Sequence, residues 1–144
     1  MIKLPFSDIA AHLRGCYPAE GCGLVFSDGR FVPITNVAGR DSVSSRSTAD
    51  GYVMDPREHY LALEAAERAG GRLYAIVHSH PDVGVYFSKE DQRQALADDG
   101  EPIWPGVRYL VVSVRSGNVD GASFFTWDPE RRVFAEEKVP EIVP

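Results

Sequence analysis

The spacing of apolar residues along this chain changes several times, and each change marks a new element. In Asp8-Ile9-Ala10-Ala11-His12-Leu13-Arg14, Ile9 and Leu13 lie four apart and share one helix face, with Ser7 where a cap belongs and Gly15 and Pro18 as the stop. Short continuous apolar runs follow. Gly21-Cys22-Gly23-Leu24-Val25-Phe26 and Arg30-Phe31-Val32-Pro33-Ile34 read as two strands joined by Ser27-Asp28-Gly29, a good hairpin turn. From Asn36 to Asp50 the chain is rich in Ser, Arg, Asp and Gly, most polar over Asp41–Ser47, which predicts a surface loop. Gly51–Met54 reads as a short strand. Asp55-Pro56 then puts a cap and a first-turn proline at the head of a helix that continues through Tyr60, Leu61, Leu63, Glu64, Ala65 and Arg68 to Gly70-Gly71.

The second half is richer in strands. Leu73-Tyr74-Ala75-Ile76-Val77 is an apolar, β-prone run, read as a buried strand. Ser88 opens a mostly polar helix to about Ala97, with Ala95 and Leu96 as its packing residues and Gly100 with Pro102 as its stop. Val107–Val114 is the clearest strand of the chain. Arg115-Ser116-Gly117-Asn118 turns it into Val119–Trp127, and Val133–Val139 is placed at the sheet edge before a Pro-containing tail. About three helices and about seven strands in mixed order predict an α/β fold, a mixed sheet with helices packed against it. There is no internal repeat, low-complexity block or linker.

Composition narrows the classes of function. A chain of 144 residues with 44% hydrophobic content suits one domain, 1–144, able to bury its own core. A net charge of -6 and a pI near 5.1 argue against phosphate backbones and anionic membranes as partners. Met1–Phe6 has no apolar core or cleavage site behind it, and no apolar run approaches the ~20 residues that span a bilayer, so a cytoplasmic location is expected. Cys16 and Cys22 are too few for a disulfide scaffold and read as reduced, mostly structural thiols.

The candidate chemistry lies in Val77-His78-Ser79-His80-Pro81 and the helix start Ser88-Lys89-Glu90-Asp91. Residues i and i+2 of a strand project to one side, so His78 and His80 converge, and the loop through Gly84 can bring Asp91 back towards them. Two imidazole nitrogens and one carboxylate oxygen are a typical set of protein ligands for catalytic Zn2+. Ser88 and Asp91 also form an S-x-x-D capping pattern, which is compatible with a role in chemistry. His12 and His59 read as surface or structural residues. Glu20, at the head of a strand, reads from position alone as an ordinary solvated acid. No G-x-S-x-G elbow, P-loop, G-x-G-x-x-G, H-E-x-x-H or P-C-x-x-C occurs, and a Cys16/His12 nucleophile pair lacks an orienting third group.

His78-Ser79-His80-Pro81, six intervening residues and Ser88-x-x-Asp91, with Glu20 in Glu-Gly-Cys-Gly-Leu upstream, resemble the JAMM (MPN+) zinc metallopeptidases and isopeptidases. The likeness runs in order over roughly residues 3–127, and the compactness is that of the small free-standing bacterial type. Val85-Tyr86-Phe87 departs from the Pro-containing loop of many relatives. The resemblance implies a curved mixed sheet of the MPN, cytidine-deaminase-like kind. It also implies Zn2+ on His78, His80 and Asp91, Glu20 as general base, and Ser88 as oxyanion donor. The implied partner is a ubiquitin-like or sulfur-carrier protein cleaved after its C-terminal Gly-Gly. Two other readings stay open, a silent MPN-type protein-binding module and a hydrolase of small amino-acid amides. The oligomeric state is not legible.

Overall fold

The computed structural model describes residues 2–40, 47–49 and 51–139. Its elements are α1 (Phe6–Cys16), β1 (Cys22–Phe26), β2 (Phe31–Ile34), α2 (Pro56–Arg68), β3 (Leu73–Pro81), α3 (Lys89–Ala95), β4 (Arg108–Arg115), β5 (Asn118–Asp128) and β6 (Val133–Lys138). The six strands form one mixed sheet in the order β2-β1-β3-β4-β5-β6. Only β3 and β4 run parallel, and their connection carries α3 and the loop that follows the histidines. The α/β fold read from the sequence is thus observed.

Each face of the sheet buries its own apolar set, as the period-2 alternation of strand side chains requires. Leu24, Phe26, Ile34, Ile76, Tyr109, Val111 and Phe125 share one core with Ala66 of α2 and Ala95 of α3. Val25, Ala75, Val77, Leu110, Val112 and Val114 pack on the other with Ile9 and Leu13 of α1, the two residues whose spacing predicted that helix. Two glycines allow α1 and β2 to approach β1 closely. A Cβ on Gly21 would meet Leu13 Cδ2 at 2.8 Å and Cys16 Sγ at 3.0 Å, and one on Gly23 would meet the Phe31 ring at 2.4 Å.

Several expectations change. Gly51–Met54 does not form a seventh strand: it contributes one isolated bridge, Asn36 to Met54, and α2 starts at Pro56 two residues later. The cap of α1 is Pro5 rather than Ser7, with no side-chain hydrogen bond, and Ile9 N–H donates to the Pro5 carbonyl. Phe6 therefore joins the helix, where it packs against the α1-side core. Asp55 behaves as read, accepting from the N–H groups of Arg57 and Glu58. Asp41–Arg46 and the Pro-containing tail from Pro140 lie outside the described residues.

Candidate metal centre and catalytic site

β3 is flanked by β1 and β4, and its last residues carry the two histidines. Burial leaves the ring of His78 with 0% exposure, His80 with 4% and Asp91 with 3%. The ligand atoms form a triangle of nearly equal sides. His78 Nε2 to His80 Nε2, His78 Nε2 to Asp91 Oδ2 and His80 Nε2 to Asp91 Oδ2 are each 3.3 Å. A tetrahedral zinc with bonds of ~2.0–2.1 Å holds its ligands ~3.3–3.4 Å apart, so the three atoms stand at the edge length of such a coordination shell. They are the one group of three or more such residues close enough to hold an ion among the described residues.

Asp91 is positioned by the helix start it caps. Its Oδ2 accepts from Ser88 N–H at 3.0 Å, while Ser88 Oγ accepts from Asp91 N–H at 3.0 Å, a reciprocal capping box. Burial alone would raise the Asp91 carboxyl, but hydrogen bonds from His78 and His80 outweigh it and hold the group far below the usual carboxylate range. Burial likewise opposes charge on His80, yet the hydrogen bond and charge of Asp91, with the charge of Glu20, bring it above its ordinary value. His80 Nδ1 faces the Gly84 carbonyl at 3.3 Å. Without a metal Nε2–H faces Asp91; with Nδ1–H donating to Gly84, loss of the Nε2 proton would leave that lone pair for a metal.

Aromatic rings complete the walls. Tyr52 stacks on His78 with centroids 4.5 Å apart and planes at 23°, and the exposed Tyr86 lies 4.8 Å from the ring of His80. Phe87 turns inward, 4.8 to 5.3 Å from Phe134, Tyr109 and Phe125, and so anchors the backbone immediately before Ser88. Asp82, at φ 61, fixes the start of the same loop by accepting from Tyr17 O–H at 2.7 Å and Ser116 N–H at 2.8 Å.

Glu20 is not the solvated acid that its position suggested; it is 6% exposed. The β1–β3 register pairs Cys22 with His78 in antiparallel fashion, and its continuation sets Gly21 against Ser79 and Glu20 against His80. Two bonds hold that extension: Gly21 N–H donates to Ser79 Oγ at 2.8 Å, and Ser79 N–H donates to the Gly21 carbonyl at 3.0 Å. Facing residues and their i+2 neighbours share one side of a sheet, which puts Glu20, Cys22, His78 and His80 on the same face. His12 is half-buried rather than a surface residue, with Nε2 3.0 Å from the Cys22 carbonyl. His59 packs in tilted contact with Trp104, a structural placement. Cys16 and Cys22 are free thiols.

Ser79, Asn36, Tyr52 and Asp82 support the site without having been singled out by motif. Of these, only Ser79 sits inside a readable pattern, between the two histidines.

Comparison with known proteins agrees with this geometry. The family described as Prok-JAB, prokaryotic homologs of the JAB domain, matches residues 5–128. A desampylase of Haloferax volcanii is 36% identical over 115 residues, 73% of this chain and 73% of that protein. A probable TtuB-protein conjugate cleaving protease of Thermus thermophilus is 36% identical over 88 residues, 59% of this chain and 55% of that one. A solution structure of a protein from Desulfitobacterium hafniense superposes with a TM-score of 0.67 at 25% identity, covering 92% of this chain and 85% of that one. Another, from Salinibacter ruber, gives 0.62 at 27% identity, over 100% and 95%. With most of its length matched and the histidine and aspartate triangle in place, this chain belongs to the prokaryotic JAB-domain family, of JAMM (MPN+) type.

Proposed function

We propose that this protein is a zinc-dependent hydrolase that cleaves an amide bond after the C-terminal Gly-Gly of a ubiquitin-like or sulfur-carrier protein, releasing the amine attached to it. The observation that carries this reading is the buried triangle of His78, His80 and Asp91 ligand atoms with Glu20 on the same face of the sheet. Support for a conjugate as substrate comes from the relatives, named as a desampylase and as a TtuB-protein conjugate cleaving protease.

His78, His80 and Asp91 would hold the zinc, and it would supply Lewis acidity to polarise a carbonyl and to lower the pKa of water towards neutrality. Glu20 takes one proton from the attacking water and returns it to the leaving nitrogen, so that the C–N bond breaks to a carboxylic acid and an amine. The acid's proton passes to the amine as they part as carboxylate and ammonium. Ser88 Oγ already accepts from Asp91 N–H, which leaves its O–H to donate to the oxyanion that develops on the carbonyl. Stacking on Tyr52 orients the His78 ring, and the Gly84 carbonyl facing Nδ1 orients that of His80.

The depth of the site favours a narrow substrate. β3 has both edges paired, so a tail cannot add as a strand to β3 itself; it can run along the loop between Pro81 and Ser88. Glycines at the last two positions let that tail bring its carbonyl past Tyr86 to ligands that are almost wholly buried. The free thiols Cys16 and Cys22 fit a reducing cytoplasm as the place of action.

Carrier fusions ending in Gly-Gly-X, incubated with the enzyme and followed by mass spectrometry of released X, test the reading. Cleavage directly after the second glycine is expected, with strong loss when both glycines become alanines. Equal cleavage of the alanine fusion would refute the narrow-tail specificity. No cleavage of any fusion by zinc-loaded enzyme would favour the silent module or a small-amide hydrolase.

A further inference from the structure

The polar stretch that begins at Asn36 reads as surface loop in the sequence, yet Asn36 is half-buried and its side-chain amide makes four hydrogen bonds. Nδ2 donates to the Glu20 carbonyl at 2.9 Å and to the Gly51 carbonyl at 3.0 Å. Oδ1 accepts from Ala38 N–H and from Val53 N–H, both at 3.0 Å. An amide has two donors and two acceptor lone pairs, so its capacity is fully used. The partners also fix which end is nitrogen, since two carbonyls face one end and two N–H groups the other.

The four partners are not scattered. Gly51 and Val53 flank Tyr52, so the amide grips the backbone on both sides of the ring stacked on His78. The same nitrogen holds the carbonyl of Glu20, whose N–H donates to the Thr48 carbonyl. One side chain thus ties the backbone of the acid to the segment bearing the ring that rests on a metal ligand.

We propose that Asn36 is a positioning residue for the reaction: through its Nδ2 it holds Glu20 in register with the His78–His80–Asp91 group. This rests on Glu20 being the base, and the test separates the two ideas. Asn36→Asp keeps an oxygen for Ala38 and Val53 but replaces the donating nitrogen by a second oxygen that faces two carbonyls. Asn36→Ala removes both halves. If the donor half positions Glu20, both variants lose kcat by ~10- to 100-fold, the range seen when groups supporting a catalytic residue are removed, at nearly unchanged KM.

The experiment measures kcat, KM, zinc per chain and amide hydrogen exchange at Ala38 and Val53, with Glu20→Gln alongside. Expected for Asn36→Asp are one zinc per chain, exchange protection retained at Ala38 and Val53, and kcat as low as that of Asn36→Ala. A merely structural role would instead restore kcat together with that protection, and such a result overturns the proposal. So would a loss confined to KM. If Asn36→Ala does not fold, Asn36→Asp alone decides. Should Glu20→Gln turn over at the wild-type rate, the base assignment falls and the positioning role with it. Should Glu20→Gln be inactive while Asn36→Asp is fully active, only the positioning role falls.

Discussion

Ser88 is asked to do two things, and two substitutions separate them. Its Oγ accepts from Asp91 N–H at 3.0 Å, which caps α3, and its O–H is assigned to the developing oxyanion. Ser88→Ala removes both, costing ~1 kcal/mol of stability for the cap. Ser88→Gly also removes the hydroxyl, but glycine is tolerated at a cap for only a few tenths of a kcal/mol. The other half of the capping box, Ser88 N–H to Asp91 Oδ2 at 3.0 Å, is backbone-donated and survives both changes. Loss of one oxyanion donor costs ~3 kcal/mol of barrier, or ~100- to 1,000-fold in kcat. Steady-state hydrolysis of a Gly-Gly-X fusion, with chemical denaturation in parallel, should therefore show equal kcat losses in two variants of unequal stability. Zinc content should stay at wild-type level in both. If activity instead follows the cap, with Ser88→Gly close to wild type and Ser88→Ala impaired, the hydroxyl is not the donor.

Two further outcomes concern the frame around the site. Phe87→Ala removes a ring packed on Phe134, Tyr109 and Phe125 just before Ser88, and urea unfolding should show a loss of ~3–5 kcal/mol; a loss below ~1 kcal/mol would mean that the ring does not anchor the helix start. Burial pushes the Cys22 thiol up to about 12, so it stays protonated and unreactive near neutral pH in the native protein. Alkylation at pH 8, read by mass spectrometry, should reach Cys22 only after unfolding, and prompt labelling of Cys22 in the folded enzyme would contradict this.

What could be read in advance follows from how far apart the interacting residues lie. Ile9 and Leu13, the hairpin at Ser27-Asp28-Gly29 and the cap at Asp55 are local patterns, and the last two turns and the α1 face appear as read. His78, His80, Ser88 and Asp91 were legible for the same reason, since strand alternation and one short loop relate them. Glu20 was legible only through the family resemblance and not from its own position, because its burial depends on a β1–β3 register set by residues 58 positions apart, Gly21 and Ser79. Asn36 escaped because a buried amide that satisfies four backbone groups has the same local sequence as a solvated one. Gly51–Met54 has strand-like composition, but Asn36 takes up its backbone groups at Gly51 and Val53, where a sheet neighbour would otherwise pair.

All of the proposed chemistry depends on zinc among the three ligand atoms, and crystals of the protein purified with zinc allow that to be seen directly. An anomalous difference map collected at the zinc edge should contain one peak per chain, ~2.0–2.2 Å from His78 Nε2, His80 Nε2 and Asp91 Oδ2. A map with no peak there, or with its peak at another group of residues, would contradict the assignment.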